Sequence, residues 1–328
     1  MWQNVEAIIR NHRSFLITTH IHPEGDAIGS EAGLALFLQD LGKKTAIVNS
    51  SPTPANCLFL PLAASIKIYG EDYSPDLIEN ADVVFILDVN SWQHVGPFGD
   101  VIRASSKPRV CIDHHVGSEQ GFAGVTLSDT KAAAAGLMIF DLINHMGGEI
   151  TPFIAEALYT AIMTDTGSFR FSNTDERAFR ASAELCAKGA KPFSIFKMVN
   201  AKRWGAARLI GPAMSTLEKT PEGKIAWIHV TQDMFDESGA EYEDSDGLLE
   251  FIRPVRGVEL CVLFKEVSGG EIKVSMRSNG VVDAFAIAKR HGGGGHRLAA
   301  GMTVDGPMKK AIPKTIAECE DVVRVTKF

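Results

Sequence analysis

What this sequence has little of narrows the field first. Its 328 residues contain five cysteines, Cys57, Cys111, Cys186, Cys261 and Cys319. They are odd in number, scattered, and form no CxxC pair, which excludes a disulfide framework and a thiolate zinc site and fits buried thiols in a reducing compartment. No apolar run approaches the ~20 residues needed to cross a bilayer. The first residues, MWQNVEAIIRNHRS, lack the layout of a secretory signal peptide. These absences lead us to expect a cytoplasmic protein without a membrane partner. Basic residues are also short, 33 against 40 acidic, for a net charge of −7. That argues against a long nucleic-acid track, which rewards a basic footprint, but leaves room for a short phosphorylated ligand in a locally positive pocket. Internal repeats are missing too. What remains, 45% hydrophobic and 22% charged, suits two ordinary globular domains.

In the first half, short β-rich apolar runs alternate with helical patterns. Ser14–Thr18, Lys44–Asn49, Ala81–Leu87 and Arg109–Ile112 read as strands, too short and too β-branched for helices. Ser30–Leu41, Lys131–Met146 and Pro152–Met163 read as helices, with the Ala132–Ala135 run suited to close helix packing. This alternation predicts an α/β fold with a mostly parallel sheet. Around residues 188–215 Gly and Pro break up polar stretches, as a linker would. Beyond it, Lys224–Thr231, Val258–Val267 and Glu271–Arg277 read as strands, the last two joined by a Ser-Gly-Gly turn. The acidic stretch 236–247 reads as a solvated loop.

Chemistry gathers at the strand ends. The first strand runs into THIHPEGDAIGS, residues 19–30, with His20, His22, Glu24 and Asp26. Ala81–Leu87 ends in Asp88, and Val110–Ile112 ends in Asp113-His114-His115. A fourth piece, AIMTDTGSFRFS, puts Asp165 at a helix end. Ligands of open α/β sheets bind in the crevice outside the carboxyl ends of the strands, where such side chains converge. A lone Asp at a strand end is usually a turn or cap, and adjacent histidines on a strand point in opposite directions, so each piece alone is weak. Together, carboxylates and imidazoles make a site for hard-to-borderline divalent metals such as Mn²⁺. Two ions also remove the repulsion among four or more acids, and a metal pair is a recurrent device of phosphoester hydrolysis.

The second half offers RHGGGGHRLAAG, residues 290–301. Gly292, Gly293, Gly294 and Gly295 allow an anion-binding nest of backbone N–H groups, to which His296 and Arg297 add donors. Arg277, at the end of the preceding strand, suits bidentate phosphate recognition.

HIHPEGDAIGS, DVN, DHH, TDTG and GGGGHRLAAG, in that order, strongly resemble the DHH/DHHA1 phosphoesterase family, over nearly the whole chain. The compact size is most similar to the branch of nanoRNases (oligoribonucleases) that also dephosphorylate 3′-phosphoadenosine-5′-phosphate (pAp). The resemblance implies a metal-binding DHH domain at 1–188, a linker at 189–212 and a smaller α/β DHHA1 substrate domain at 213–328, with the active site in the cleft between them. It implies two divalent ions, Mn²⁺ or Mg²⁺. One would be held by His20, Glu24 and Asp88, the other by Asp26, Asp88, His114 and Asp165, with Asp88 bridging. Asp113 would sit behind the second site and orient its histidine. His115 would face the cleft and stabilise or protonate the leaving oxygen. Arg277, Gly292–Gly295 and His296 would bind the phosphate or terminal nucleotide. The family usually has Asp where this chain has Glu24, one methylene longer, which leaves its ligation open.

The implied activity is hydrolysis of short oligoribonucleotides or linear dinucleotides, with pAp as a further substrate; the partners are then short RNA or small nucleotides, and a homodimer stays open. The alternative is a cyclic dinucleotide (c-di-AMP) phosphodiesterase on the same scaffold. A pyrophosphatase fits the GGGGHRLAAG segment less well, and a long-strand exonuclease is expected to carry further modules. A catalytically inactive nucleotide sensor would show broken ligand positions, whereas every position here carries a metal-competent side chain.

Overall fold

The computed structural model describes residues 2–325 apart from 118, 120 and 268. The chain divides into two compact units, Met1–Ala201 and Lys202–Phe328. The division falls inside the expected linker, which is largely helical, with helices at Pro192–Val199 and Trp204–Ser215.

The first unit is built on a six-stranded sheet: β1 (Ser14–Thr18), β2 (Lys44–Asn49), β3 (Lys67–Ile68), β4 (Val83–Leu87), β5 (Arg109–Asp113) and β6 (Val125–Ser128). All its pairings are parallel, in the order β3-β2-β1-β4-β5-β6. Alternate residues of β1 feed two cores, Phe15 and Ile17 on one face and Leu16 on the other. Burial on both faces is why these strands are continuous apolar runs. Strand order reverses between β1 and β4, so their carboxyl ends open the crevice at which such sheets bind ligands.

Helix Gly25–Asp40 begins earlier than its apolar period predicts, with Glu24 at its N-cap. Its glycines explain the difference. They weaken helix propensity but form a stripe at four-residue spacing against helix Pro152–Asp165. A Cβ on Gly29 would lie 2.4 Å from the Ala157 carbonyl oxygen, and one on Gly33 would lie 2.5 Å from the Leu158 side chain. The two helices approach closely enough to bring Asp26, at the start of one, beside Asp165, at the end of the other. Helix Ala135–His145, in contrast, begins later than expected. Most of the alanine run precedes it, with Ala134 extended at φ −164°.

The second unit contains β7 (Glu218–Lys219), β8 (Ile225–Val230), β9 (Leu260–Glu266), β10 (Glu271–Ser278), β11 (Gly294–His296) and β12 (Ala299–Asp305). They form a mixed sheet, β11-β12-β10-β9-β8-β7, in which only β8–β9 is parallel. Ser268 of the turn expected before β10 lies outside the described residues. The acidic stretch is largely exposed, as expected, but it is more ordered than a loop. Helix Gln232–Ser238 ends at Gly239 in the left-handed region, and a turn at Tyr242–Ser245 follows. Arg203 fastens that turn, with contacts of 2.5 Å to Glu241 and 2.8 Å to Asp244.

Candidate active site

Five of the expected residues converge at the carboxyl edge of the parallel sheet. Nε2 of His114 lies 3.3 Å from Asp88 Oδ1, 3.6 Å from Asp26 Oδ2 and 3.6 Å from Asp165 Oδ2. On the other side of Asp88, Oδ2 lies 3.5 Å from His20 Nε2. Asp88 therefore stands between two imidazoles, and it does so at φ 57°, a backbone conformation that L side chains rarely adopt and that marks functional sites.

Each side chain is held from behind. His114 Nδ1 contacts the Ala132 carbonyl oxygen at 3.1 Å, and His20 Nδ1 the Ile21 carbonyl oxygen at 2.8 Å, so both rings turn Nε2 toward the acids. Asp26 accepts from the backbone N–H groups of Ala135 at 2.7 Å and Gly136 at 2.8 Å, and from the Ser30 hydroxyl at 3.0 Å. Asp165 accepts from Asn173 Nδ2 at 3.4 Å; the same amide group donates to the Ala133 carbonyl at 3.0 Å. The alanine run read as helix packing thus serves the site through its backbone. Nothing in the sequence marked the run for this role, because backbone groups leave no residue-type signature, nor Asn173, a single amide in a polar stretch.

The two adjacent histidines do not point apart. Strand β5 ends at Asp113, and beyond it the two rings sit 4.5 Å apart. Asp113, buried, contacts His115 Nδ1 at 2.8 Å; the histidine it orients is His115, while the Ala132 carbonyl holds His114. Asp113 keeps the His115 imidazole above the usual histidine range.

Glu24 is exposed and belongs to neither of the two candidate cation clusters found among the described residues, Asp88–His114–His115 and Asp26–His114–Asp165. His22 is exposed too, at φ 54°.

The donor set fits divalent cations. His114 Nε2 and Asp88 Oδ1 are buried with no hydrogen-bond partner. The contacts of His114 Nε2 to the three acids, at 3.3–3.6 Å, are longer than hydrogen bonds, so these donor atoms face one another without satisfying one another. The charge balance agrees. Burial, then the charges of Asp88 and Asp165, drives the Asp26 carboxyl well above its ordinary range. Burial, with Asp88 adding to it, raises Asp165 to about 6. Asp88 is also disfavoured as an anion by burial, yet His114 and His20 hold it down at about 2. A cluster whose acids take up protons in the absence of cations is one that cations would complete.

In the second unit, register brings Arg277 and His296 onto one face of the sheet, with Ala299 paired to both and lying between them. The next row, Ser275–Gly301–Gly294, is equally small. Two of the four glycines are required by close packing. A Cβ on Gly293 would lie 2.3 Å from the Gly301 carbonyl oxygen, and one on Gly295, at φ 126°, would lie 2.4 Å from that of Ala299. Close backbone approach makes the short β11–β12 hairpin possible.

A Rossmann-like sheet whose switch point gathers carboxylates and imidazoles suited to divalent ions defines a metal-dependent hydrolase. The DHH family, N-terminal domain, matches residues 14–162, and the DHHA1 domain matches residues 224–324. The "bifunctional oligoribonuclease and PAP phosphatase NrnA" of Thermus thermophilus is 35% identical over 88% of this chain and 84% of its own length. The Bacillus subtilis protein of the same name is 24% identical over 89% of each chain. The crystal structure of an exopolyphosphatase-related protein from Bacteroides fragilis superposes with a TM-score of 0.89 at 27% identity, covering 97% of this chain and 95% of its own. The chain belongs to the DHH/DHHA1 phosphoesterase family.

Proposed function

We propose that this protein is a Mn²⁺-dependent phosphoesterase that hydrolyses short oligoribonucleotides to mononucleotides and removes the 3′-phosphate of pAp. The observation that carries the reading is the ring of Asp26, Asp88 and Asp165 around the partnerless Nε2 of His114; the names of the Thermus and Bacillus relatives give the substrate class.

Asp26, Asp88, His114 and Asp165 would hold one ion, and His20 with Asp88 the other, with Glu24 as an additional oxygen donor. When bound, the pair supplies Lewis acidity toward the phosphoryl oxygens and activates water. The chain's own residues do the rest. Asp113 takes Nδ1 of His115, so Nε2 is the nitrogen left to deliver a proton to the departing ribose oxygen. The hydrogen bond to Asp113 shifts that imidazole upward, toward the protonated form a general acid needs. Arg277 and His296 flank a floor of Ala299 and Gly301 and would grip the terminal phosphate. A pocket that grips one end suits a short substrate and an acidic protein.

Purified protein with Mn²⁺, offered a dinucleotide, pAp, cyclic di-AMP and pyrophosphate, is the test. Turnover of the dinucleotide and pAp is expected. Preference for cyclic di-AMP would move the assignment to a cyclic dinucleotide phosphodiesterase. Turnover of none, with metal confirmed bound, would remove it.

A further inference from the structure

Beside the metal cluster lies a chain of buried polar side chains that the mechanism above does not use. Thr18, Thr19, Glu31 and Asn49 have no solvent exposure. Asn49, the last residue of β2, donates from Nδ2 to Glu31 Oε2 at 2.9 Å. Its Oδ1 accepts from the backbone N–H of Thr19 at 3.3 Å, with the Thr18 hydroxyl at 3.5 Å. The Thr19 hydroxyl donates to the Leu87 carbonyl at 2.8 Å. The chain thus runs from helix Gly25–Asp40 through the end of β2 and across β1 to the end of β4.

Its position gives it a purpose. Pairing of β1 with β2 reaches Ile17↔Ile47, and pairing of β1 with β4 reaches Thr18↔Ile86. Beyond these, at the switch point, β1 and β4 diverge from regular pairing, and the side chains continue the cross-links that the backbone ladder no longer makes. Thr19 directly precedes His20, and Leu87 directly precedes Asp88. The one hydroxyl bond between them therefore ties the two residues that present the His20–Asp88 pair, whose side chains meet at 3.5 Å. Asp88 holds a left-handed backbone, a conformation that persists only where its surroundings over-determine it. At the far end, Glu31 leaves Oε1 buried without a hydrogen-bond partner. A buried, incompletely satisfied carboxyl is destabilising, so simple packing would be served better by an apolar side chain.

We infer that Glu31, acting through Asn49 and Thr19, is a positioning residue that sets the separation of His20 and Asp88, and hence the affinity of the cation position on the His20 side. This rests on the two-ion reading above. The test is Mn²⁺ binding to the full-length protein by calorimetry, alongside kcat and KM for a dinucleotide. Glu31→Leu removes the acceptor, Glu31→Gln keeps it, and Thr19→Val removes the hydroxyl bond to Leu87 at nearly constant shape. Glu31→Leu and Thr19→Val should each weaken one of two Mn²⁺ sites by about 10–100-fold, the range for a partner that orients a ligand. The other site should stay within about threefold. At limiting Mn²⁺ kcat should fall with KM unchanged, excess Mn²⁺ should restore it, and Glu31→Gln should behave as the parent. Should Glu31→Leu fail to fold, Thr19→Val carries the test. Equal weakening of both sites, or unchanged Mn²⁺ affinity in a variant that merely melts earlier, would overturn the inference while leaving the phosphoesterase reading intact. A parent protein that binds no Mn²⁺ would overturn both.

Discussion

The backbone N–H of Gly136 donates to Oδ1 of Asp26 at 2.8 Å, across 110 residues of chain. Together with Ala135, which donates to Oδ2 at 2.7 Å, it aims a helix N-terminus at a buried carboxylate, where the helix dipole favours negative charge. Gly136 can do this because it has no side chain. A Cβ there would lie 2.3 Å from that of Ala161 and 3.4 Å from Asp26 Oδ1. Gly136→Ala should push the helix back, lowering stability by about 1–3 kcal/mol, the range for overpacking, and lowering turnover by about 10–100-fold through displacement of Asp26. Thermal melting and steady-state kinetics check both. Asp26→Ala should cost more activity than Gly136→Ala, because it removes the oxygen donors themselves. If turnover survived it, Asp26 would not be a ligand.

His115 and Asp113 make a second pair with separable roles. His115→Ala should lower kcat by about 10²–10⁴-fold, the usual contribution of a positioned general acid, with little change in KM. Asp113→Asn keeps a polar partner but removes the charge that favours the protonated imidazole. Its kcat should fall less, and the alkaline limb of its pH–rate profile should move to lower pH. An unchanged pH profile in Asp113→Asn would separate Asp113 from the proton transfer.

Arg277 and His296 sit two strands apart, with Ala299 between them. If they grip a terminal phosphate, Arg277→Ala should raise KM for pAp and for a 5′-phosphorylated dinucleotide by about 10–100-fold, as loss of a hydrogen bond between charged groups predicts. Removing the terminal phosphate from the dinucleotide should erase most of the difference between parent and variant. Arg277→Lys should recover only part of the loss, since an ammonium cannot make the planar two-pronged contact.

Much of this was legible in the sequence, and the part that was not has a common cause. β1 and β2 fall where their apolar runs end in turn or polar residues, and Asp88, Asp113 and His114 stand out because charge at the end of a buried strand is conspicuous. Ala132, Ala133 and Ala135 are silent because they act through peptide groups. Glu31 and Asn49 are silent because each looks ordinary until folding places them 2.9 Å apart. Gly25, Gly29 and Gly33 misled the reading of their helix, since low helix propensity and close packing pull in opposite directions and packing won. Glu24 remains where the sequence left it: exposed, near the site, and outside both candidate clusters.

Removing the metal should change both activity and the pH dependence of stability. Chelation should abolish turnover, and Mn²⁺ should restore it. At 100 times its dissociation constant, a bound ion adds about 2.7 kcal/mol to folding stability, so the chelated protein should melt earlier. Without cations, Asp165 binds its proton up to about 6, and Glu31, raised chiefly by burial, holds its own up to about 8. The unfolded chain releases both near 4. A folded state that binds more protons than the unfolded one loses stability as pH rises, so the chelated protein should become less stable from pH 4 toward pH 8. Asp88, held at about 2, opposes this trend only below about pH 5, where its unfolded carboxyl still binds protons, and adds no slope above that. His20 and His114, raised to about 9 and about 10 by contact with Asp88 against the effect of burial, push the same way once pH exceeds about 6.5. Saturating Mn²⁺ should flatten the slope, because the ions replace protons as partners of the acids. Asp165→Asn should remove the Asp165 share of the slope between pH 4 and 6 from the chelated protein alone, leaving the share that Glu31 contributes. Melting curves at half-unit pH intervals, with and without chelator, read all of this, and a chelated protein that gains stability over this range would contradict the charge balance drawn here.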